Sequence, residues 1–469
     1  MEWLVHDLNP TGTLRTRQRQ RLRSRAALLL LLLGFCFFCF PPLLHAQSSA
    51  SKQKKNLTSA RTHSVPRTRA TVQRGKSAPR SKLTARTQTQ IKSRRVAKAS
   101  TKIKRHRGLS RSRAALALRA AAAAAARDAT RRILIATNYD DTFPPTPYAP
   151  ELAPFPVLLN DEPLVFRTNS AFVLPGETIT LAVGKTKKNN AYILQSPFKT
   201  TTTGQHHWSW QAPREVGLYP VKILHTAWGA TVQLNVFVMA PFTQIEDGEL
   251  NGYQVGKYPA APLHELEAYL LPRGFIEVTE ENENTLITPH FRLRQFLCKQ
   301  QSDYPKYLAL DSRLLLVLET ILKKVNEQGH HCPTLSVMSG YRTPHYNRAI
   351  GNVTSYSRHL WGDAADIFVD ANPRDGEMDD LNSDGVIDFH DTEVLYDIVF
   401  ELYEPRVQQF LTSGFVNAPI LQQLGATGFA DDQRLQRHMT GGLARYRESG
   451  GHGPFVHVDV RGIFTRWGR

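Results

Sequence analysis

The stretch that most constrains this chain runs from Ser339 to Asp366 and reads SGYRTPHYNRAIGNVTSYSRHLWGDAAD. Within it Ser357, His359, Gly362, Ala364 and Asp366 follow the pattern S-x-H-x-x-G-x-A-x-D. Asp366-Ile367-Phe368-Val369 alternates like a strand, which puts Asp366 at a strand start and His359 on the loop before it. A second histidine, His457, lies in the late run Phe455-Val456-His457-Val458-Asp459-Val460. Two imidazoles and one carboxylate, with a fourth position left open, are what a catalytic zinc site needs. Taken singly, each could be a core histidine, a capping aspartate or a strand histidine. The three in this order, behind SGYR, favour a metal.

SGYR, the S-x-H-x-x-G-x-A-x-D run and FVHVD together resemble the zinc D-alanyl-D-alanine carboxypeptidase family, which includes phage endolysins that cut peptidoglycan peptides. The resemblance covers roughly Asn251 to the end of the chain. It implies that His359, Asp366 and His457 bind zinc and that Arg342 grips the terminal carboxylate of a substrate. Ser339 and Ser357, from the same motifs, join Arg342 as candidate substrate contacts. The family usually places an acid three residues before the last zinc histidine, or a histidine two before it. Here those positions hold Pro454 and Phe455. Asp459, two residues past His457 and on the same strand face, is then the nearest candidate catalytic base. It could instead orient His457. His452 and Glu448 are the other candidates. This departure keeps a second reading open, a zinc-binding but inactive recognition domain.

A second metal site is expected between Asp366 and His457. Asp380 to Asp391 matches a twelve-residue calcium loop, with oxygens at Asp380, Asn382, Asp384, Asp388 and Asp391, the carbonyl of Val386, and Gly385 for the sharp turn. Its twelfth position is aspartate rather than the usual glutamate, and no convincing helix enters it. Zinc and calcium are thus the expected cofactors.

Composition organises the rest. Residues 47–132 hold 25 Lys or Arg against one acid, Asp128. The formal charge of +18 belongs to this segment and to the N-terminus, while residues 133–469 carry a net −10. Rich in Ser, Thr, Lys, Arg and Ala, residues 47–135 read as a disordered basic linker. Only Ala114 to Ala126 is helix-prone, and it lacks a continuous apolar face. Such a polycation suits an anionic envelope polymer or lipid. Nucleic acid is disfavoured, because aromatics are not interleaved with the charges.

Residues 1–46 read as a signal peptide or an uncleaved anchor: six arginines precede the apolar run from Ala26 to Phe40. The expected location is the periplasm or cell envelope, secreted or held in the inner membrane. In that oxidising setting, Cys298 and Cys332 are expected to pair as a disulfide.

Residues 136–245 carry short alternating runs separated by turn residues, the pattern of a small β-sandwich. Trp210-Gln211-Ala212-Pro213 and Gly217-Leu218-Tyr219 resemble bacterial immunoglobulin-like modules. Residues 246–469 form the expected zinc-peptidase domain. Thr288-Pro289 reads as the start of a helix through Phe296 and Cys298, and Asp311 as the cap of another ending at Gly329. A strand at Leu335-Ser336-Val337 then leads to Ser339. The fold class expected is therefore multidomain: an all-β immunoglobulin-like sandwich and an α+β zinc-peptidase domain, behind a disordered basic segment. The expected activity is zinc-dependent cleavage of D-amino-acid bonds in peptidoglycan stem peptides. The rival is a non-catalytic peptidoglycan-binding protein with the same fold, and no oligomeric state is assigned.

Overall fold

In a computed structural model, residues 114–139, 147–184, 191–403 and 440–468 are described. The chain divides into two units, Met1–Ala85 and Arg86–Arg469, and every described residue belongs to the second. The expected signal or anchor and most of the basic segment lie outside the described residues. Among the described residues no helix is long and apolar enough to cross a membrane.

The alternating runs of the middle segment form two sheets over one core. Strands β1 (Val157–Leu159), β2 (Glu162–Pro163), β4 (Thr178–Val183), β6 (Thr200–Gly204) and β7 (His207–Gln211) make one sheet, in the order β2-β1-β4-β7-β6. The other holds β3 (Thr168–Val173), β5 (Tyr192–Gln195), β8 (Gly217–His225) and β9 (Thr231–Val238), in the order β3-β9-β8-β5. Inward residues of both sheets, including Ile179, Leu181, Trp208, Trp210, Val221 and Val236, are buried together. Each such side chain contributes roughly 1.5–3 kcal/mol through burial. Along β9 the side chains alternate between two cores. Val236 and Val238 face the sandwich interior, whereas Phe237 joins the core of the C-terminal part.

That C-terminal part begins earlier than residue 246. β10 (Ala240–Pro241) pairs with β13 (Gly274–Val278), which pairs with β14 (Lys306–Leu308), while β11 (Glu249–Leu250) and β12 (Tyr253–Gln254) form a small hairpin. The principal sheet runs β15-β16-β18-β17-β19, from β15 (Ser336–Ser339), β16 (Ala364–Phe368), β17 (Gly442–Tyr446), β18 (Phe455–Asp459) and β19 (Thr465–Trp467). Only the β17–β19 pairing in it is parallel.

Four helices accompany these sheets among the described residues. The first, α1, is helical over residues 114–138. It is followed by α2 (Ser312–Glu327), α3 (Pro344–Ala349) and α4 (Asp391–Tyr403). Asp311 caps α2 by accepting from the amide of Arg313, and Leu314, Leu315, Leu318, Ile321, Leu322 and Val325, apolar at helical spacing, are buried.

Several expectations are corrected. The linker does not extend to residue 135, because α1 occupies residues 114–138 and its last turns dock. Leu134 enters the C-terminal core, and the Asn138 side chain donates to the carbonyl of Val337 (3.3 Å) and accepts from its amide (2.8 Å). Asn138 thereby bonds the outer edge of β15 as a strand would, which protects an otherwise open edge. Arg131 and Arg127 pair with Asp375 and Glu377. Most of the helix before these turns is exposed, so tertiary docking holds it rather than an apolar stripe.

The helix expected after Thr288-Pro289 is only a 3-10 turn, Leu293–Phe296. Ile287, Phe291, Leu293, Phe296 and Leu297 are all buried, more apolar surface than one helical face could present. Cys298 and Cys332 are both free thiols. They are buried in different surroundings: Cys298 lies beside Gln300 and Thr343, and Cys332 donates to the carbonyl of Thr334.

Candidate metal centre

The register of the principal sheet assembles the centre. Asp366 on β16 stands opposite Ser339 of β15 on one side and His457 of β18 on the other. His457 in turn stands opposite Ala444, and Ala444 opposite Trp467. Directly opposed residues keep their Cβ atoms about 4.5–5.5 Å apart, so one row across five strands carries Ser339, Asp366, His457 and Trp467. The alternate residues, Ile367, Val456, Val458 and Leu443, point into the apolar core. Alternation thus separates a chemical face from a packing face.

His359 reaches this row from a 3-10 turn, Arg358–Trp361. Gly362 ends the turn in the left-handed region, at φ +69°, and a Cβ there would lie 1.9 Å from the carbonyl oxygen of Ala309. Only glycine fits, which accounts physically for that position of the motif. Beneath the turn, Arg358 and Asp363 form a fully buried ion pair, with the guanidinium over the rings of Tyr269 and Trp361 at 4.3 and 5.1 Å.

His359, Asp366 and His457 offer one ligand atom each within 4.8 Å of one another, and all three residues are buried. The Nε2 of His359 lies 3.2 Å from Asp366 Oδ1, and the Nδ1 of His457 lies 2.8 Å from the same oxygen. The opposite ring nitrogens are engaged elsewhere. His359 Nδ1 is 2.7 Å from the carbonyl oxygen of Gly340, and His457 Nε2 is 3.3 Å from Asp459 Oδ2. Partners of this kind fix the tautomer and the ring orientation of a metal ligand. Two imidazoles and a carboxylate converging this way fit a zinc ion.

Electrostatics separates the two histidines. Burial and the Arg342 guanidinium hold His359 down at about 4. His457 is pushed up to about 9, where its hydrogen bonds to Asp366 and Asp459 outweigh burial. Asp366 is held well below the usual carboxylate range, since His359 and Arg342 outweigh its burial. A cation among these groups would displace the proton that His457 holds between two carboxylates.

Arg342 donates from Nε to Ser339 Oγ (2.7 Å) and from Nη2 to Asp366 Oδ2 (2.5 Å). The SGYR arginine therefore stands at the edge of the trio. Ser357 is half-buried before the His359 turn, and no hydrogen bond links its side chain to the trio among the described residues. His452 is half-buried with Nδ1 2.8 Å from the carbonyl oxygen of Gly453, and Glu448 is exposed.

Asp459 is fully buried and its two oxygens are taken. Arg461 Nε donates to both at 2.8 and 3.0 Å, and the amide of Gly442 donates to Oδ1 at 2.8 Å. A side chain on Gly442 would collide with Oδ2 at 2.2 Å. Asp459 is accordingly held far below the ordinary carboxylate range by His457 and Arg461, despite burial. This geometry suits Asp459 to orienting His457, the other role open to it beside that of the base.

The structure lends the calcium expectation no support. Among the described residues, His359, Asp366 and His457 are the only group of three His, Cys, Asp or Glu close enough to share an ion. The loop carboxylates are turned onto their own backbone. Asp391 is fully buried and accepts from the amides of Leu381 and Asp388 at 2.8 and 2.7 Å. Asp380 accepts from Asp384 and Gly385, Asn382 Oδ1 from Asp384, Asp384 from Val386, and Asp388 from His390. The acids of the loop thus serve as turn and cap acceptors.

Sequence reasoning passed over Arg461, Gly442 and Trp467. Arg461 was findable, since it lies two residues after Asp459. Trp467, whose ring lies 5.1 Å from that of His457 and whose Nε1 donates to Tyr446 (2.7 Å), arrives through a non-local parallel pairing that no local pattern announces.

No curated protein and no solved structure matches the chain. Residues 289–380, which include SGYR, His359 and Asp366 but stop short of His457, match the family model described as Peptidase M15, a zinc D-Ala-D-Ala carboxypeptidase-like family.

Proposed function

We propose that this chain is a zinc-dependent metallopeptidase that cleaves D-amino-acid-containing bonds of peptidoglycan stem peptides in the cell envelope. The observation that carries this reading is the convergence of His359 Nε2, Asp366 Oδ1 and His457 Nδ1 inside a Peptidase M15-like segment. Zinc, when bound, would polarise the scissile carbonyl and make water nucleophilic at neutral pH. The chain's residues supply the rest. Gly340 and Asp459 hold the two imidazoles in ligating orientation. Arg342, anchored through Nε on Ser339, keeps a planar fork at the edge of the centre, able to grip a carboxylate through parallel hydrogen bonds. Trp467 and Tyr446 wall the His457 side. The immunoglobulin-like sandwich serves as a spacer or binding module, the basic segment docks on an anionic envelope polymer or lipid, and the N-terminus exports or anchors the chain.

One observation favours a second reading, a peptidoglycan-binding protein without catalysis. Asp459 is pinned by Arg461, Nδ1 of His452 is bonded to its own loop, and Glu448 is exposed. Mass spectrometry of purified peptidoglycan fragments, incubated with the protein with and without chelator, separates the readings. Chelator-sensitive loss of one alanine means carboxypeptidase, and monomers released from cross-linked dimers mean endopeptidase. Unchanged fragments with retained binding would establish the binder.

A further inference from the structure

One face of α1 runs along the C-terminal part and reaches the rim of the metal centre. Ala123, Arg127, Arg131, Leu134 and Asn138 are half-buried or buried, while Ala124, Ala125 and Ala126 are exposed. Steps of three and four residues mark a single helical face. At 1.5 Å per residue this face extends roughly 22 Å. Its C-terminal end bonds β15, the strand that ends at Ser339. Its N-terminal end lies on the loop between β17 and β18. Two glycines there permit the approach: a Cβ on Gly450 would lie 3.1 Å from the Cβ of Ala123, and one on Gly453 3.7 Å from Arg127 Nη2. Arg127 is itself held by its ion pair with Glu377.

The far side of this loop meets the centre. The His452 ring stands edge-on to Phe455 with centroids 5.1 Å apart, and Phe455 shares the β18 face that carries His457. Phe455 stacks on Tyr446 at 4.7 Å, and Tyr446 accepts from Trp467 beside His457. The hydrogen bonds of residues 449–453 close their own turn among the described residues. The Ser449 amide donates to the His452 carbonyl (2.8 Å) and the Gly451 amide to Ser449 Oγ (3.2 Å). A loop holding Gly450, Gly451 and Gly453 loses much conformational entropy on ordering, and a helix packed against it restricts the alternatives.

We infer that α1 is a strap that sets the rim of the metal cleft. Ala123 and Arg127 are positioning residues: seated on Gly450 and Gly453, they hold His452 against Phe455, and turnover by the zinc-loaded chain depends on that seating. This rests on the peptidase reading above and deepens it, by placing control of the cleft in a helix outside the residues that match Peptidase M15.

The test compares the full zinc-loaded chain with a double variant, Ala123→Leu with Arg127→Ala, and with the control Ala122→Leu. Leucine keeps helix propensity high, so at position 123 it adds bulk against Gly450, while at the exposed position 122 it meets solvent. Leu134 and Asn138 still dock the end of the helix in all three. In the double variant, amide hydrogen exchange over residues 448–453 should quicken about tenfold or more. Its kcat on peptidoglycan fragments should fall about 10–100-fold, with KM and zinc content near those of the wild type. Ala122→Leu should match the wild type in every measurement. If the double variant loses zinc, Arg127→Ala alone, which only deletes contacts, is scored the same way. The inference is overturned if loop exchange is unchanged, if it quickens while kcat holds, or if kcat rises, which would make α1 a block. It is also overturned if Ala122→Leu behaves like the double variant. A wild type that hydrolyses no fragment sinks the peptidase reading instead, and the strap is then scored on loop exchange and fragment affinity.

Discussion

At the scale of single residues, the centre depends on positions whose identity is set by space and by hydrogen bonding. Gly362 is one. Left-handed backbone alone should cost a non-glycine residue about 1–3 kcal/mol, and the contact with the Ala309 carbonyl adds to it. Gly362→Ala is therefore expected to lower the urea midpoint and to reduce zinc occupancy, since the turn that carries His359 must shift. Unaltered stability with one zinc per chain would refute this account of the motif glycine. Asp459 is the second. If it orients His457, Asp459→Asn should weaken zinc binding about 10–100-fold, as read by competition with a chromophoric chelator. Were it the base, zinc affinity would stay and hydrolysis alone would fall.

At the scale of elements, α1 departs from the part its composition suggests. Asp380–Asp391 has the spacing of an ion site, and its carboxylates close turns and start α4. The basic, alanine-rich stretch has the composition of a linker, yet its end holds the edge of β15. Near that junction the Tyr139 hydroxyl bonds Ser336 Oγ (2.7 Å) and the carbonyl of Asp370, and the buried Asp370 carboxyl accepts from the amides of Asp375 and Gly376 at 3.0 Å each. Burial, above all, raises Asp370 to about 6. The folded state then holds this proton more tightly than the unfolded chain, whose aspartates titrate near ~3.9. Its contribution to stability falls as pH climbs from about 4 to about 6 and is level above. Asp370→Asn carries a constant penalty for one lost acceptor but lacks that slope. Its melting temperature relative to wild type should rise between pH 4 and pH 6.5, and a constant difference would rule out a raised Asp370.

At the scale of the whole molecule, the boundaries drawn from composition cut through packed contacts. A chain starting at residue 246 loses β10, the Phe237 side of β9 and α1 together. One starting at residue 114 keeps all three. We expect the shorter chain to melt well below the longer one and to bind ANS, whereas equal melting would show that the C-terminal part is independent. The sequence by itself determined what depends on residue type at short range: the alternation of the sandwich strands, the cap and face of α2, and the three ligand types with the glycine between two of them. Those signals are local, set by hydrogen-bond geometry and side-chain period. Only the tertiary structure decided which strand faces which. The pairing of Asp366 with His457, the anchoring of Asp459 by Arg461 and the arrival of Trp467 all follow from register between segments distant in sequence. Composition misjudged α1 and the free cysteines for the same reason: it records what a segment contains, while burial and available partners decide what it does.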